Sequence, residues 1–226
     1  MKPRTFALFI FISASLLLSS RDSLFGQTVF NVRGYGAVGD GMNLDSPAIN
    51  RAILAASAAG GGTVFVPAGT YLCGSIHLTN NIHLYLDAGA VILGAPQEIN
   101  AYDLTEPWHG QAYQDGGHTY FHNSLIWGEN LTNVSITGTG MINGGGLVRE
   151  DGPLDQMCGY SNWSPTNRTP QLDTNYPPIR LGNKSIALKL CRNVVFKDFT
   201  IYRGGHFGIL ATGVDNWTID NIKIDT

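Results

Sequence analysis

Apolar and polar residues alternate in short runs along most of the chain, and these runs end at Gly, Asn, Asp or Pro. Residues 63–66 (TVFV) stop at Pro67-Ala68-Gly69, and another short apolar run covers residues 76–78. Alternation with a period of two, bounded by turn-forming residues, is typical of β-strands. The pattern therefore predicts an all-β protein.

One segment has a helical period instead. Five apolar residues spaced three or four apart share one helical face: Ala48, Ile49, Ala52, Ile53 and Ala56. We predict that Ser46 is the N-cap, that Pro47 occupies the first helical position, and that the glycines at 60–62 end the helix. A short helix placed here would cover the open end of a stack of strands, so we expect a capping role.

A repeat decides what the strands build. Residues 193–201 (NVVFKDFTI) align with residues 216–224 (NWTIDNIKI), so that Asn193 corresponds to Asn216. Both units begin with Asn, carry apolar residues at the fourth, seventh and ninth positions, and have an Asp at the bend. A unit of this length is one coil of a solenoid, which buries its apolar residues only by stacking on its neighbours. A sandwich of hairpins is the alternative, but these units lack two-residue Asn-Gly or Asp-Gly turns.

The asparagines that open the repeats receive a structural interpretation. Echoes of the unit begin at Asn81 and Asn133, before the two aligned repeats at Asn193 and Asn216. Asn tolerates left-handed backbone angles, and stacked amides can hydrogen-bond between coils. We therefore expect these residues to support the solenoid and not to take part in catalysis.

Charge and cysteine content narrow the function classes. The net charge is −3 with 14% charged residues, and no basic stripe of the kind that binds nucleic acid is present. Cys73, Cys158 and Cys191 are three in number, so disulfides do not form the scaffold. Cys191 lies in an apolar strand pattern, where we predict a buried core thiol.

The N-terminus resembles an export signal. Lys2 and Arg4 precede an apolar run at residues 5–20, which is rather short for a membrane span. We predict a signal peptide at residues 1–26, a single β-helix domain over residues 27–226, and secretion to the extracellular space or the periplasm. An uncleaved membrane anchor remains the alternative.

Several segments, in this order, resemble glycoside hydrolase family 28, the polygalacturonases and rhamnogalacturonases of the pectate-lyase superfamily. They are residues 30–41 (FNVRGYGAVGDG), 60–72 (GGGTVFVPAGTYL), 74–94 (GSIHLTNNIHLYLDAGAVILG), 124–146 (SLIWGENLTNVSITGTGMINGGG) and 190–226. The resemblance implies a right-handed parallel β-helix with a short N-terminal capping helix. It also implies a secreted glycosidase that degrades cell-wall pectin, has a pectic polysaccharide as partner, uses no cofactor or metal, and is monomeric when full length.

The catalytic motifs of this family are not found in the sequence. Family members hydrolyse with inversion through Asp residues in an Asn-x-Asp-Gly stretch and an Asp-Asp pair, followed by Gly-His-Gly and Arg-x-Lys. Inversion requires two carboxyl groups about 6.5–9.5 Å apart. The sequence contains no Asp-Asp, Gly-His-Gly or Arg-x-Lys, and Asn43-Leu44-Asp45 directly precedes the predicted helix. We therefore expect no catalytic residue within this chain, an N-terminal part that ends before the catalytic coils, and no hydrolysis by it alone.

Substrate contacts are predicted one coil before the expected catalytic stretch. Galacturonate carries a carboxylate, so Arg203 with His206 and Phe207 are candidate binding residues, and Arg180 is a second candidate cation. A solvated turn with one core aromatic is the alternative for residues 203–207.

A long loop beside the groove is predicted over residues 98–122. It contains His109, His118 and His122, which lack the spacing of a metal site, so we interpret them as exposed loop residues.

Two other functions stay open at this point. A pectate lyase would need Ca²⁺ held by several acidic oxygens and an Arg base, and no such acidic cluster is visible. A non-catalytic β-helix that binds polysaccharide or serves as an adhesin or tailspike segment is the other alternative.

Overall fold

The computed structural model describes residues 28–106, 120–148 and 182–225. Its strands are β1 (Val29–Asn31), β2 (Asp40–Leu44), β3 (Gly62–Val66), β4 (Gly69–Cys73), β5 (Ile76–His77), β6 (Ile82–Leu86), β7 (Ala90–Gly94), β8 (Ile126–Glu129), β9 (Thr132–Thr137), β10 (Met141–Asn143), β11 (Lys184–Lys189), β12 (Arg192–Lys197), β13 (Thr200–Tyr202), β14 (Phe207–Thr212), β15 (Asp215–Asp220) and β16 (Lys223–Asp225). The helix α1 spans Ser46–Ala58, and 3-10 helices span Val32–Tyr35 and Gln97–Ile99. The predicted all-β class is confirmed.

The strands form three parallel sheets that the chain visits in turn. The first sheet has the order β1-β3-β6-β9-β12-β15, the second β2-β4-β7-β10-β13-β16 and the third β5-β8-β11-β14. The four circuits that begin at β3, β6, β9 and β12 each add one parallel strand to every sheet, which makes the molecule a right-handed parallel β-helix, as predicted.

The repeat found in the sequence sets the strand register. In the first sheet Val194 pairs with Trp217 and Phe196 pairs with Ile219, which are the partners that the alignment of the two repeats predicted. Earlier coils align in the same way even where long connections separate them, since Ile136 pairs with Phe196. Register therefore depends on which face of a strand is apolar, not on connection length.

The core is a column of apolar side chains inside the coils. In the first sheet Val64, Leu84, Ile136 and Phe196 follow one another in register, and each is fully buried. Burial of such a side chain stabilises the fold by about 1.5–3 kcal/mol. Because each coil adds one such side chain to the column, each coil adds one such stabilising contribution.

A ladder of asparagines runs along one corner of the solenoid. Asn81, Asn133, Asn193 and Asn216 have φ values of 60°, 60°, 56° and 52°, all left-handed. Each later amide donates to the preceding side-chain oxygen: Asn133 Nδ2 to Asn81 at 2.9 Å, Asn193 to Asn133 at 2.9 Å, and Asn216 to Asn193 at 2.8 Å. The structural role predicted for these residues is confirmed, and we call them the asparagine ladder.

Helix α1 covers the first coil, but its start differs by one residue from the prediction. The N-cap is Asp45 and Ser46 is already helical. The Ser46 hydroxyl accepts from Gly74 N at 3.1 Å, while the Asp45 carboxylate accepts from Val38 N at 2.7 Å and Gly39 N at 2.9 Å. Both side chains tie the helix to the coil beneath it, which explains why neither satisfies the helix's own first amides.

The described cysteines are buried thiols. Cys73 and Cys191 are free and buried, as expected for Cys191, and burial raises the pKa of both thiols. Cys158 and the predicted signal peptide lie outside the described residues. Among the residues that are described, no helix has the length and apolar character that crossing a bilayer requires.

Candidate functional site

Two long connections reach the third sheet from the second. Residues 95–125 join β7 to β8, and residues 144–183 join β10 to β11. In β8 the residues alternate between the core and the outside: Ile126 and Gly128 are buried, while Trp127 and Glu129 remain partly exposed. The first connection adds polar groups beside these outward side chains, so ionisable and aromatic side chains meet on the outer side of the third sheet.

Six side chains form what we call the third-sheet cluster. Its members are His77, Asp103, His122, Trp127, Glu129 and Lys189. Strand register brings His77 beside Trp127 and Glu129 beside Lys189. Asp103 and His122 come from the 95–125 connection. The cluster thus combines strand positions that the fold dictates with loop positions that it does not.

Asp103 joins two aromatic side chains on one side of the cluster. Its Oδ2 lies 2.6 Å from His77 Nε2 and 2.7 Å from Trp127 Nε1. Burial raises the pKa of Asp103, but hydrogen bonds from His77 and Trp127 outweigh that effect, and the net pKa is lowered. Asp103 is therefore an anionic acceptor at neutral pH that fixes the orientation of both rings.

Glu129 performs a similar task on the other side. Its oxygens lie 2.9 Å from His122 Nε2 and 3.3 Å from Lys189 Nζ. Burial raises the pKa of Glu129, but the bonds from His122 and Lys189 outweigh it, so the net pKa is lowered. The His122 ring stacks on the Trp127 indole with centroids 3.9 Å apart and planes 18° apart.

Glu106 holds the connection against the sheet. This buried carboxylate accepts from Phe121 N at 2.8 and 2.9 Å and from His122 N at 3.0 Å. Charge-assisted bonds to backbone amides are stronger than neutral ones. Glu106 therefore acts as a positioning residue that sets His122 over Trp127.

The arrangement suits a carbohydrate. Stacked His122 and Trp127 offer a rigid apolar surface of the kind that contacts the C–H face of a sugar ring, and the surrounding carboxylates can accept from hydroxyl groups. Lys189 Nζ, which also lies 5.6 Å from the Phe121 ring, supplies positive charge for an anionic sugar. Within the described residues, no group of three or more His, Cys, Asp or Glu is arranged to hold a metal ion.

The predicted binding residues lie in two different places. His206 immediately precedes β14 and Phe207 begins it, at one end of a third-sheet strand, with their rings 4.4 Å apart and nearly perpendicular. Arg203 follows β13 and lines a cleft on the outer side of the second sheet. Arg180, His109 and His118 lie outside the described residues. The structure therefore brings His206 and Phe207 together and places Arg203 apart from them, in the cleft on the second sheet.

The sequence prediction missed most of the cluster. His122 was expected to be an exposed loop residue, but its side chain is only 24% exposed and is packed and hydrogen-bonded, so that expectation was wrong. The other five members were not predicted, because they meet only after the coils are registered. One signal was available: His77 and Trp127 each follow a buried Ile in a strand-like run and hence point outwards.

The chain is similar in sequence to known proteins. The family model of rhamnogalacturonase A/epimerase, pectate lyase-like proteins matches residues 29–226. The chain is 39% identical over 118 residues to a probable polygalacturonase of Vitis vinifera, a match that covers 50% of this chain and 24% of that protein. It is 31% identical over 202 residues to plasmin and fibronectin-binding protein A of Streptococcus pneumoniae, covering 88% of this chain and 24% of that one.

A solved structure agrees at the level of the fold. The hyperthermoactive exopolygalacturonase from Thermotoga maritima superposes with a TM-score of 0.65 and 24% identity, covering 87% of this chain and 46% of that one. The chain thus spans about a quarter of the length of the two curated relatives and under half of this structure.

Proposed function

The chain belongs to the rhamnogalacturonase A/epimerase, pectate lyase-like family, and on that premise we propose that it serves a secreted, polygalacturonase-like glycoside hydrolase that acts on pectic polysaccharide. Its described coils bind the acidic polysaccharide along the outer side of the third sheet. Inverting hydrolysis by Asp residues is part of the proposal, and we assign no catalytic residue within residues 1–226.

The third-sheet cluster is the observation that carries this proposal. Adjacent coils are spaced by about 4.8 Å, so side chains in register form a row along which an extended polymer can lie. Trp127 and His122 supply the apolar contact, and Lys189 supplies the charge that a uronate needs. In register, this row continues at β14 with Leu210 and Thr212. His206 and Phe207, at the other end of β14, are proposed as separate substrate contacts, and Arg180 and Arg203 as further cations for the substrate.

Calorimetric titration with oligogalacturonate tests the binding step. We expect Trp127→Ala to weaken binding about tenfold, because an aromatic platform supplies a large share of the contact with a sugar. Tyr85→Ala is the matched control, since Tyr85 is a half-buried aromatic on the outer side of the first sheet, stacked on Phe65. Equal losses in both variants, or equal binding of a neutral galactan oligosaccharide, would refute the proposed site.

Release of reducing ends from polygalacturonate and from rhamnogalacturonan tests the chemistry. The proposal assigns the catalytic carboxylates elsewhere than in residues 1–226, so we expect these residues to bind but not to cleave. Cleavage by this chain would show that acids within it perform the hydrolysis. Unsaturated products that disappear when Ca²⁺ is chelated would instead indicate a pectate lyase.

A non-catalytic adhesin is the second candidate. It is favoured by the relative named plasmin and fibronectin-binding protein A, which matches 88% of this chain. Surface binding assays with immobilised fibronectin and plasmin separate the two functions. Tight binding there, together with no response to oligogalacturonate, would favour adhesion.

A further inference from the structure

A concave site lies on the outer side of the second sheet. The cleft has a volume of about 570 Å³, and its lining includes Leu72, Leu93, Glu98, Asn143 and Arg203. The two leucines come from neighbouring strands β4 and β7, which pair in register at these residues. Sites for small molecules usually have volumes of about 300–1,000 Å³ and combine an apolar lining with a few polar groups. The cleft has this composition.

Arg203 occupies an unusual backbone position. Ten non-glycine residues in the described ranges have positive φ; eight of them are Asn or Asp, and the other two are Leu190 and Arg203, the latter with φ 52°. Asn or Gly adopts this conformation with less strain. Local backbone geometry therefore does not explain an arginine here, whereas a role for its side chain would.

The guanidinium group is available to a ligand. It lies 5.0 Å from the Tyr202 ring and makes no ion pair with any described residue. A Cβ at Gly145 would lie 3.7 Å from Arg203 Nη1 and 3.1 Å from Asn143 Oδ1. Glycine at position 145 thus keeps open the space between these two polar side chains.

Polar groups of complementary type complete the cleft. Asn143 Oδ1 accepts from Gly145 N at 3.0 Å, which orients the amide, and the Nδ2 donor has no partner among the described residues. Glu98 adds an exposed carboxylate. Gln97 ties this wall in place by donating to Gly146 O and, at 3.1 Å, to Gly182 O. The cleft therefore offers a cation and an amide donor, an anionic acceptor, and an aliphatic surface.

We propose that this cleft binds one carboxylated sugar residue, separately from the third-sheet cluster. The ligand carboxylate pairs with Arg203, its hydroxyls bind Asn143 and Glu98, and its C–H face lies on Leu72 and Leu93. The choice of a uronate as ligand rests on the proposed function. Glu98 favours a monoanion over a phosphate or another dianion, because a like charge nearby weakens binding as the ligand charge grows.

NMR titration of the ¹⁵N-labelled full chain tests the proposal. D-galacturonate is the probe, and D-galactose and acetate test the sugar and the carboxylate alone. We expect saturable shifts of the Asn143, Gly145 and Arg203 amides with galacturonate, and at least tenfold weaker responses to either partial probe. Equal responses to galactose or to acetate would overturn the proposal.

Variants assign the site. Arg203→Asn removes the cation but suits the left-handed backbone, and we expect galacturonate binding at the cleft to fall at least tenfold. Arg192→Gln is the matched control on the first sheet and should leave binding unchanged. Glu98→Gln alters only an exposed side chain and should strengthen binding roughly threefold, which keeps the proposal testable if Arg203→Asn does not fold. Galacturonate binding that is unchanged in both Arg203→Asn and Glu98→Gln would overturn the proposal.

Failure of this proposal differs from failure of the proposed function. If galacturonate shifts Trp127 and His122 but not the cleft amides, the cleft proposal is wrong and the third-sheet site stands. If only the cleft responds, and Trp127→Ala leaves oligogalacturonate binding intact, the third-sheet site is wrong.

Discussion

The asparagine ladder and the third-sheet cluster are both stacks of polar side chains on successive coils, yet they differ in kind. In the ladder one residue type makes one hydrogen bond, at 2.8–2.9 Å, again and again. In the cluster six side chains of five types share two carboxylates: His77 and Trp127 bind Asp103, whereas His122 and Lys189 bind Glu129. Uniform repetition satisfies the needs of the backbone at each turn. The varied side chains of the cluster meet no such repeated backbone need, which agrees with the ligand contacts proposed for them.

Mutation in the ladder should give the largest loss of stability. Asn193→Ala removes one bond to Asn133 and one from Asn216 and forces alanine to a φ of 56°. We expect the free energy of unfolding to fall by about 2–3 kcal/mol, measured in urea. Asn193→Gly keeps the backbone conformation and should cost only about 1 kcal/mol. Equal losses would mean that backbone strain is not part of the ladder's role.

Mutation of Glu106 should disturb the third-sheet cluster by releasing the backbone that positions His122. Glu106→Gln weakens the bonds to Phe121 N and His122 N, and we expect a loss of about 2 kcal/mol in the free energy of unfolding. Oligogalacturonate binding should fall with it, because His122 loses its position over Trp127. An unchanged His122 ring spectrum in the variant would show that the segment is held by other contacts.

Lysines on the two sheets provide a smaller and more specific comparison. Lys189→Met should lower affinity for oligogalacturonate about threefold and reduce its salt dependence, because one cation near the anionic ligand is lost. Lys197→Met on the first sheet breaks only an exposed pair with Asp220 and should change neither affinity nor stability measurably. Equal effects of both variants would show that net charge, not the cluster, attracts the polymer.

The smallest expected effect is on the pH dependence of stability, which should differ between the first and third sheets. His83, between Thr63 and Thr137 on the first sheet, has a pKa lowered by burial. The unfolded imidazole titrates near pH 6.5, so the unfolded chain binds the proton first and stability falls as pH drops from about 6.5 towards the folded pKa. His83→Gln should remove this slope from denaturation curves. A slope of the same size in the variant would assign it to other histidines.

Asp103 and Glu129 should respond in a lower pH range. Their folded pKa values are lowered, so their contributions persist above the unfolded values of about 4 and are lost as pH falls through the folded values. Oligogalacturonate binding that depends on the cluster carboxylates should thus fail only in this acidic range. Carboxyl groups of the ligand titrate in a similar range, so the contribution of the cluster is the part of the transition that is lost when Asp103 and Glu129 are replaced by Asn and Gln.

The sequence predicted the scaffold well because the scaffold is local and repeated. Two aligned units predicted the register of β12 with β15, and Asn at the start of each unit predicted the ladder. The helix start was displaced by one residue, because Asp45 bonds to Val38 and Gly39 before β2 and Ser46 bonds to Gly74 after β4, which the helical pattern alone does not reveal.

The site was less predictable because it is assembled across coils. His77 and Trp127 are neighbours in the third sheet, although more than two repeat lengths separate them along the sequence. The connection at 95–125 changes that spacing and also brings Asp103 and His122 to the sheet. Arg203, His206 and Phe207 were chosen by their place in one turn, and the structure distributes them over two surfaces.

The long connections at the corner between the second and third sheets have an evolutionary consequence. Since Ile136 and Phe196 still pair across such a connection, loops at this corner can lengthen, shorten or diverge while the coils keep their alignment. Natural variation can therefore explore new specificities at one edge of the solenoid while the folding code of the rest is inherited intact. A protein engineer could exploit the same independence by exchanging these loops between family members.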